Sequence, residues 1–137
     1  MAKRIFAVII VVAICFFLFT TTISAVIIST FDISSATKSS ILYFNGTKAT
    51  CISEYSDSNT VASINIVQTL EKHAYLWTWN PVCDPWTKGG TNVRNLSLTN
   101  TKSGLSSGTY RVKSVFTVTL QNGKTESVTV YSSEVTI

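Results

Sequence analysis

Tyr75, Trp77, Trp79 and Trp86 fall within twelve residues, beside Cys83, Pro81 and Pro85. Aromatic side chains so concentrated can stack on sugar rings or anchor a protein interface, and they can equally fill a core, since each ring buries a large apolar area. Other residue types offer less. His73 is the one histidine, so any Ser-His-Asp or Cys-His arrangement would have to be built around it alone, and its neighbours Glu71 and Lys72 read as a solvated turn. The carboxylates Glu54, Asp57, Glu71, Asp84, Glu126 and Glu134 show no pairing in sequence, and Asp32 lies in the leader region. No glycine-rich phosphate loop and no metal-ligand spacing occurs. The expectation is a protein without catalytic residues, metal or cofactor, whose candidate binding residues are Tyr75, Trp77, Trp79 and Trp86.

The N-terminus sets the compartment. Lys3 and Arg4 precede an apolar run from Ile5 to Phe19, the pattern of a secretory signal peptide. Thr20 to Thr22 interrupt it before Ile23 to Ile28 resume. Cleavage fits after Ser24, Ala25 or Ala36; left uncut, Ile5 to Ile28 is long enough to span a bilayer with the N-terminus inside. Residues 1–36 are thus a signal peptide or membrane anchor with a short linker, and residues 37–137 face outward. Ile14 before Cys15 argues against lipid attachment. In an oxidising compartment the remaining pair, Cys51 and Cys83, reads as a structural disulfide, closing a loop of about 33 residues worth roughly 3–4 kcal/mol in the chain-entropy model.

Charge excludes one class of partner. Net charge is +4 over 137 residues, but without Lys3 and Arg4 nine basic residues stand against seven acidic ones, or +2. They form no cluster, whereas a nucleic-acid groove would want a stripe of them. Only 13% of residues are charged, and Ser, Thr and Val abound, which suits an extracellular all-β module.

The elements follow from period-two alternation. Tyr110, Val112, Phe116, Val118 and Leu120 share one face of a strand whose other face carries Arg111, Lys113, Thr117 and Thr119. Asn122-Gly123 predicts a type I′ turn into Thr125–Val130, and Asn45-Gly46 predicts a second one, with Leu42 opposite Ala49 and Phe44 opposite Thr47. Leu42, Phe44, Ala49 and Cys51 then share an inner face. Ser56–Thr60 reads as a loop, residues 61–70 as a strand with Ala62, Ile64, Ile66 and Leu70 inward, and residues 74–79 as another. A helix over 67–77 is the rival to these two. Trp86, Gly89 and Gly90 read as a loop before a short strand at 93–99. Asn45-Gly-Thr47 and Asn95-Leu-Ser97 match the N-glycosylation acceptor, although Asn45 is better explained as a turn residue.

About seven strands in roughly 100 residues predict an all-β antiparallel sandwich. Leu105-x-x-Gly108-x-Tyr110-x-Val112 resembles the entry to the sixth strand of immunoglobulin and fibronectin type III-like domains, where the tyrosine hydroxyl bonds back to upstream backbone. Val112 stands where antibody domains carry cysteine, which turns Cys51 toward Cys83. Together with Phe44–Cys51, Thr69–Lys72, Ser107–Lys113 and Val130–Thr136, the chain resembles small secreted immunoglobulin-like β-sandwich proteins of Gram-positive bacteria, a family with no assigned activity. The resemblance implies a secreted or envelope-held interaction module whose partner is a protein or glycan at the cell surface, touching membrane only through an uncleaved N-terminal segment. The alternative is a carbohydrate or cell-wall binding module using the exposed tryptophans.

Overall fold

The computed structural model describes residues 35–137. The predicted signal or anchor helix, with Cys15 and Asp32, lies outside the described residues. Within them the chain is all-β: β1 (Thr37–Asn45), β2 (Lys48–His73), β3 (Trp79–Pro81), β4 (Trp86–Lys102), β5 (Thr109–Thr119), β6 (Thr125–Tyr131) and β7 (Val135–Thr136). Every pairing is antiparallel, in one seven-stranded sheet of order β1-β2-β5-β6, with β3 and β4 on β2 and β7 on β5. Among the described residues no helix is long and apolar enough to cross a membrane.

Several elements differ from the sequence reading. The predicted loop at Ser56–Thr60 is no break: β2 runs for 26 residues through it, and the register against β4 shifts between Ser56 and Val61. This is where the strand folds back. Gln68 Nε2 donates to Ser53 Oγ at 2.7 Å, although 15 residues separate them and a straight strand would hold them roughly 50 Å apart. Buried positions in β2 also change parity, from Ala49, Cys51, Ser53 and Tyr55 to Ile64, Ile66, Gln68 and Leu70, so opposite faces of its two halves turn inward. The strand predicted at 74–79 is a turn followed by the three residues of β3, and β4 already begins at Trp86.

Both predicted turns form with different chemistry. At the first, Asn45 pairs with Lys48, leaving Gly46-Thr47 as the two-residue loop; Gly46 at φ +59 in its first position is the pattern of a type II′ turn. At the second, Gly123 N–H donates to Leu120 C=O at 2.9 Å and Leu120 N–H to Lys124 C=O at 2.8 Å. Gly123 there has positive φ and Asn122 does not, which describes a three-residue loop closed by a left-handed glycine.

The core has two centres. One gathers Ala36, Tyr55, Val61, Ile64, Ile66, Leu98, Phe116, Val118 and Leu120; the other gathers Leu42, Ala49, Cys51, Leu70, Leu105, Tyr110 and Val112. A buried polar chain crosses the interior: Gln68 to Ser53 and to Leu98 C=O, Ser53 to Ser114 at 2.6 Å, and Ser114 to Ser40 at 2.8 Å. Asn100 Nδ2 takes up the Gln68 carbonyl oxygen at 3.0 Å. Each member satisfies another, which removes the cost of burying it.

Candidate functional site

β2 and β3 form a short hairpin in which Glu71, Lys72 and His73 face Pro81, Asn80 and Trp79. Ala74 N–H donates to Thr78 C=O and Thr78 N–H to Tyr75 C=O, both at 2.9 Å. The reversal forces Leu76 to φ +51, a conformation unusual for a side chain of its size. His73 holds it there: Nε2 stands 2.6 Å from Leu76 C=O and, facing a carbonyl, must carry the proton. His73 is therefore a clamp on the turn.

The apex carries three consecutive apolar residues into solvent. Tyr75 is 72%, Leu76 63% and Trp77 91% exposed. An isolated exposed apolar residue is ordinary; three at one apex form a contiguous apolar patch. Beside it lies an open recess of about 330 Å³ lined by His73, Leu76, Trp77, Trp79, Thr109 and Glu134. That size is at the small end of ligand sites, which run from roughly 300 to 1,000 Å³.

The four aromatic residues singled out by sequence are thus divided among three settings. Tyr75 and Trp77 are free at the apex. Trp79 is half-buried, its ring 4.1 Å from the Arg111 guanidinium and edge-on to His73 at 5.1 Å. Arg111 also lies 4.2 Å from the Tyr131 ring, and its Nε donates to Glu71 Oε2 at 2.8 Å. Trp86, on β4, packs against both core centres. Trp77 and Trp79 both line the recess, and Trp86 does not.

Sequence reading missed Leu76, Arg111, Thr109 and Glu134 as neighbours of these aromatics. Alternation placed Arg111 correctly on the outer face of β5, but only the Glu71–Arg111 pairing of β2 with β5 brings it to Trp79. Glu134 lies about 60 residues from the apex in sequence, so no local signal could join them.

The predicted Cys51–Cys83 bridge is not formed, and both residues are free thiols. Cys51 faces the packed centre around Leu42, Ala49 and Leu70, while Cys83 stands half-buried in the loop between β3 and β4. Burial pushes the Cys51 thiol up to about 12, with a smaller contribution from charge on nearby Cys83. Burial raises Cys83 as well; Lys102 opposes this and Asp84 adds to it. Neither is thereby prepared as a nucleophile, since thiolate is the reactive form.

The corner tyrosine behaves as anticipated: Tyr110 Oη donates to Ser106 C=O at 2.6 Å. Lys72 caps the same corner, bonding Ser106 Oγ at 2.7 Å and Ser107 C=O at 2.8 Å, with Nζ 5.3 Å from the Tyr110 ring. Among the described residues no group of three or more His, Cys, Asp or Glu gathers as a metal site.

No family model matches the chain, and no curated protein does. Among solved structures it is similar to wild-type OgpA from Akkermansia muciniphila, at 11% identity and a TM-score of 0.37 over 74% of this chain and 29% of that one. A second crystal form gives 13% and 0.33, and catalytically inactive OgpA in complex with an O-glycopeptide substrate gives 12% and 0.36. The chain spans less than a third of OgpA's length. Likeness at this level carries no argument about fold or activity.

Proposed function

We propose that this chain is a non-enzymatic, immunoglobulin-like β-sandwich module of the cell exterior, secreted or held at the envelope, that binds a macromolecule through its β2–β3 apex. The observation that carries the reading is the exposure of Tyr75, Leu76 and Trp77 on a turn held by the His73 clamp and by backbone bonds. A rigid apolar apex loses little conformational freedom on binding, so more of its contact area becomes affinity. The fold-back of β2, which brings its two halves into contact, and the Tyr110 corner support the sandwich. The leader sequence supports the compartment.

The test is retention of the full chain on isolated cell-envelope material of the producing organism. Wild-type protein should be retained and Trp77→Ala should lose at least about tenfold in retention, as interface aromatics of this kind do. Equal retention of the two would refute the apex as the binding surface.

A further inference from the structure

Two groups on the rim of the recess have no polar or ionic partner among the described residues: the Trp77 indole and the Glu134 carboxylate. We infer that the recess takes a single neutral pyranose ring of an exterior glycan, stacked on Trp77 and hydrogen-bonded by Glu134. This rests on the apex being the binding surface and adds the chemical class of its ligand.

The geometry supplies what such a ring needs. A pyranose presents a face of C–H groups, which an indole face receives, and a rim of adjacent hydroxyls, which a carboxylate accepts in pairs. Trp77 at 91% exposure offers its ring without first leaving any partner. Thr109 Oγ1 is already bonded to Thr136 Oγ1 at 2.8 Å and retains acceptor capacity toward the recess. His73 lines the recess as well, with its Nε2 proton committed to Leu76 C=O. Trp79 cannot serve as a second platform on the side where Arg111 lies 4.1 Å from its ring centre, so the site holds one ring rather than a row of them.

Charge selects among ligands. Glu134 repels a sugar acid, so uronic and sialic acids are disfavoured against the same ring without its carboxylate. An aromatic face with a carboxylate also suits an organic cation. Here, however, the Arg111 guanidinium lies against Trp79 in the wall of the recess and opposes a second cation. A neutral ring meets neither repulsion.

The experiment follows the three indole N–H signals of the full chain by NMR during titration with glucose, galactose, mannose and N-acetylglucosamine, with glucuronic acid and choline as charged probes. The Trp77 signal is assigned through Trp77→Phe. The expected result is movement of the Trp77 signal by at least one neutral sugar, saturating at roughly 1–10 mM as befits one small ring on an open site. Glu134→Gln should weaken that sugar at least fivefold without changing the melting temperature, and glucuronic acid should leave the signal in place. No movement with any neutral sugar, or movement with choline or glucuronic acid alone, overturns the inference. If envelope retention still depends on Trp77 in that case, the ligand class is wrong and the binding surface stands. If retention does not depend on Trp77, the surface itself is wrong.

Discussion

Trp77 and Trp79 stand two positions apart and are held by different forces. Trp77 touches solvent almost entirely, so Trp77→Ala should leave stability within about 0.5 kcal/mol of wild type, as surface substitutions do. Trp79 covers the Arg111 guanidinium, and Trp79→Ala should cost about 1–3 kcal/mol by uncovering it and loosening the Glu71 ion pair. Denaturant midpoints of the two variants measured side by side check the contrast. The thiols differ likewise: in reduced protein, iodoacetamide should modify half-buried Cys83 first and reach buried Cys51 only on unfolding, which peptide mass mapping at increasing times will show. Burial also links Cys51 to pH. Its folded value of about 12 lies above the ordinary 9, so the stabilisation is complete below about pH 9 and is lost by up to about 1.4 kcal/mol per pH unit as the unfolded thiol ionises first. Tyr55 is shifted the same way, by burial and by its bond to Asp57. Melting temperature should therefore fall between pH 9 and 11, and Cys51→Ala should shallow that fall while lowering stability at neutral pH.

The corner between β4 and β5 is where one element depends most on its neighbours. Gly108 has φ +151, and a Cβ there would run into Lys72 Cε. Gly108→Ala should thus cost about 1–3 kcal/mol, through backbone strain and displacement of Lys72 from Ser106 and Ser107. Tyr110→Phe, which removes only the bond to Ser106, should cost about 1 kcal/mol. The strands around this corner were legible from sequence because side-chain alternation is a local property: Tyr110, Val112, Phe116, Val118 and Leu120 all turn inward as read. The inner face of the first hairpin was legible even though its turn lies one residue further on, because Leu42 meeting Cys51 rather than Ala49 keeps both on the same side. The bend in β2 was not legible. Ser, Asp, Asn and Thr at 56–60 have the same composition whether they leave a sheet or crease it. Gly89 and Gly90 misled in the other direction: glycines usually weaken a strand, but both pair with β2 from within β4, and at Gly90 an added Cβ would crowd Val93 and Leu96. The aromatic site was half legible. Its residue types announced a site, while the sorting of Trp77, Trp79 and Trp86 depends on Arg111, Glu134 and the core, which only the assembled strands supply.

At the scale of the whole module, β2 belongs to both core centres, with Ile64 and Ile66 in one and Cys51 and Leu70 in the other. Neither centre can be lost while β2 stays ordered, so unfolding should be a single cooperative transition. Far-ultraviolet circular dichroism and tryptophan emission, which reports on half-buried Trp79 and Trp86, should give coincident denaturation curves. Gln68→Leu would strip a partner from Ser53 and from Asn100 and should lower the midpoint of both signals together.

The two core centres also mark the two ends of the module. Ala36, next to the first described residue, packs in the same centre as Leu120; the recess borders Thr109, at the other end of β5. The eleven residues of β5 separate these ends by roughly 35 Å. Within the described residues, the aromatic apex and the start of β1 thus stand at opposite poles. A probe attached where β1 begins would therefore sit about one strand's length from Trp77, too far to touch a ligand seated on the apex.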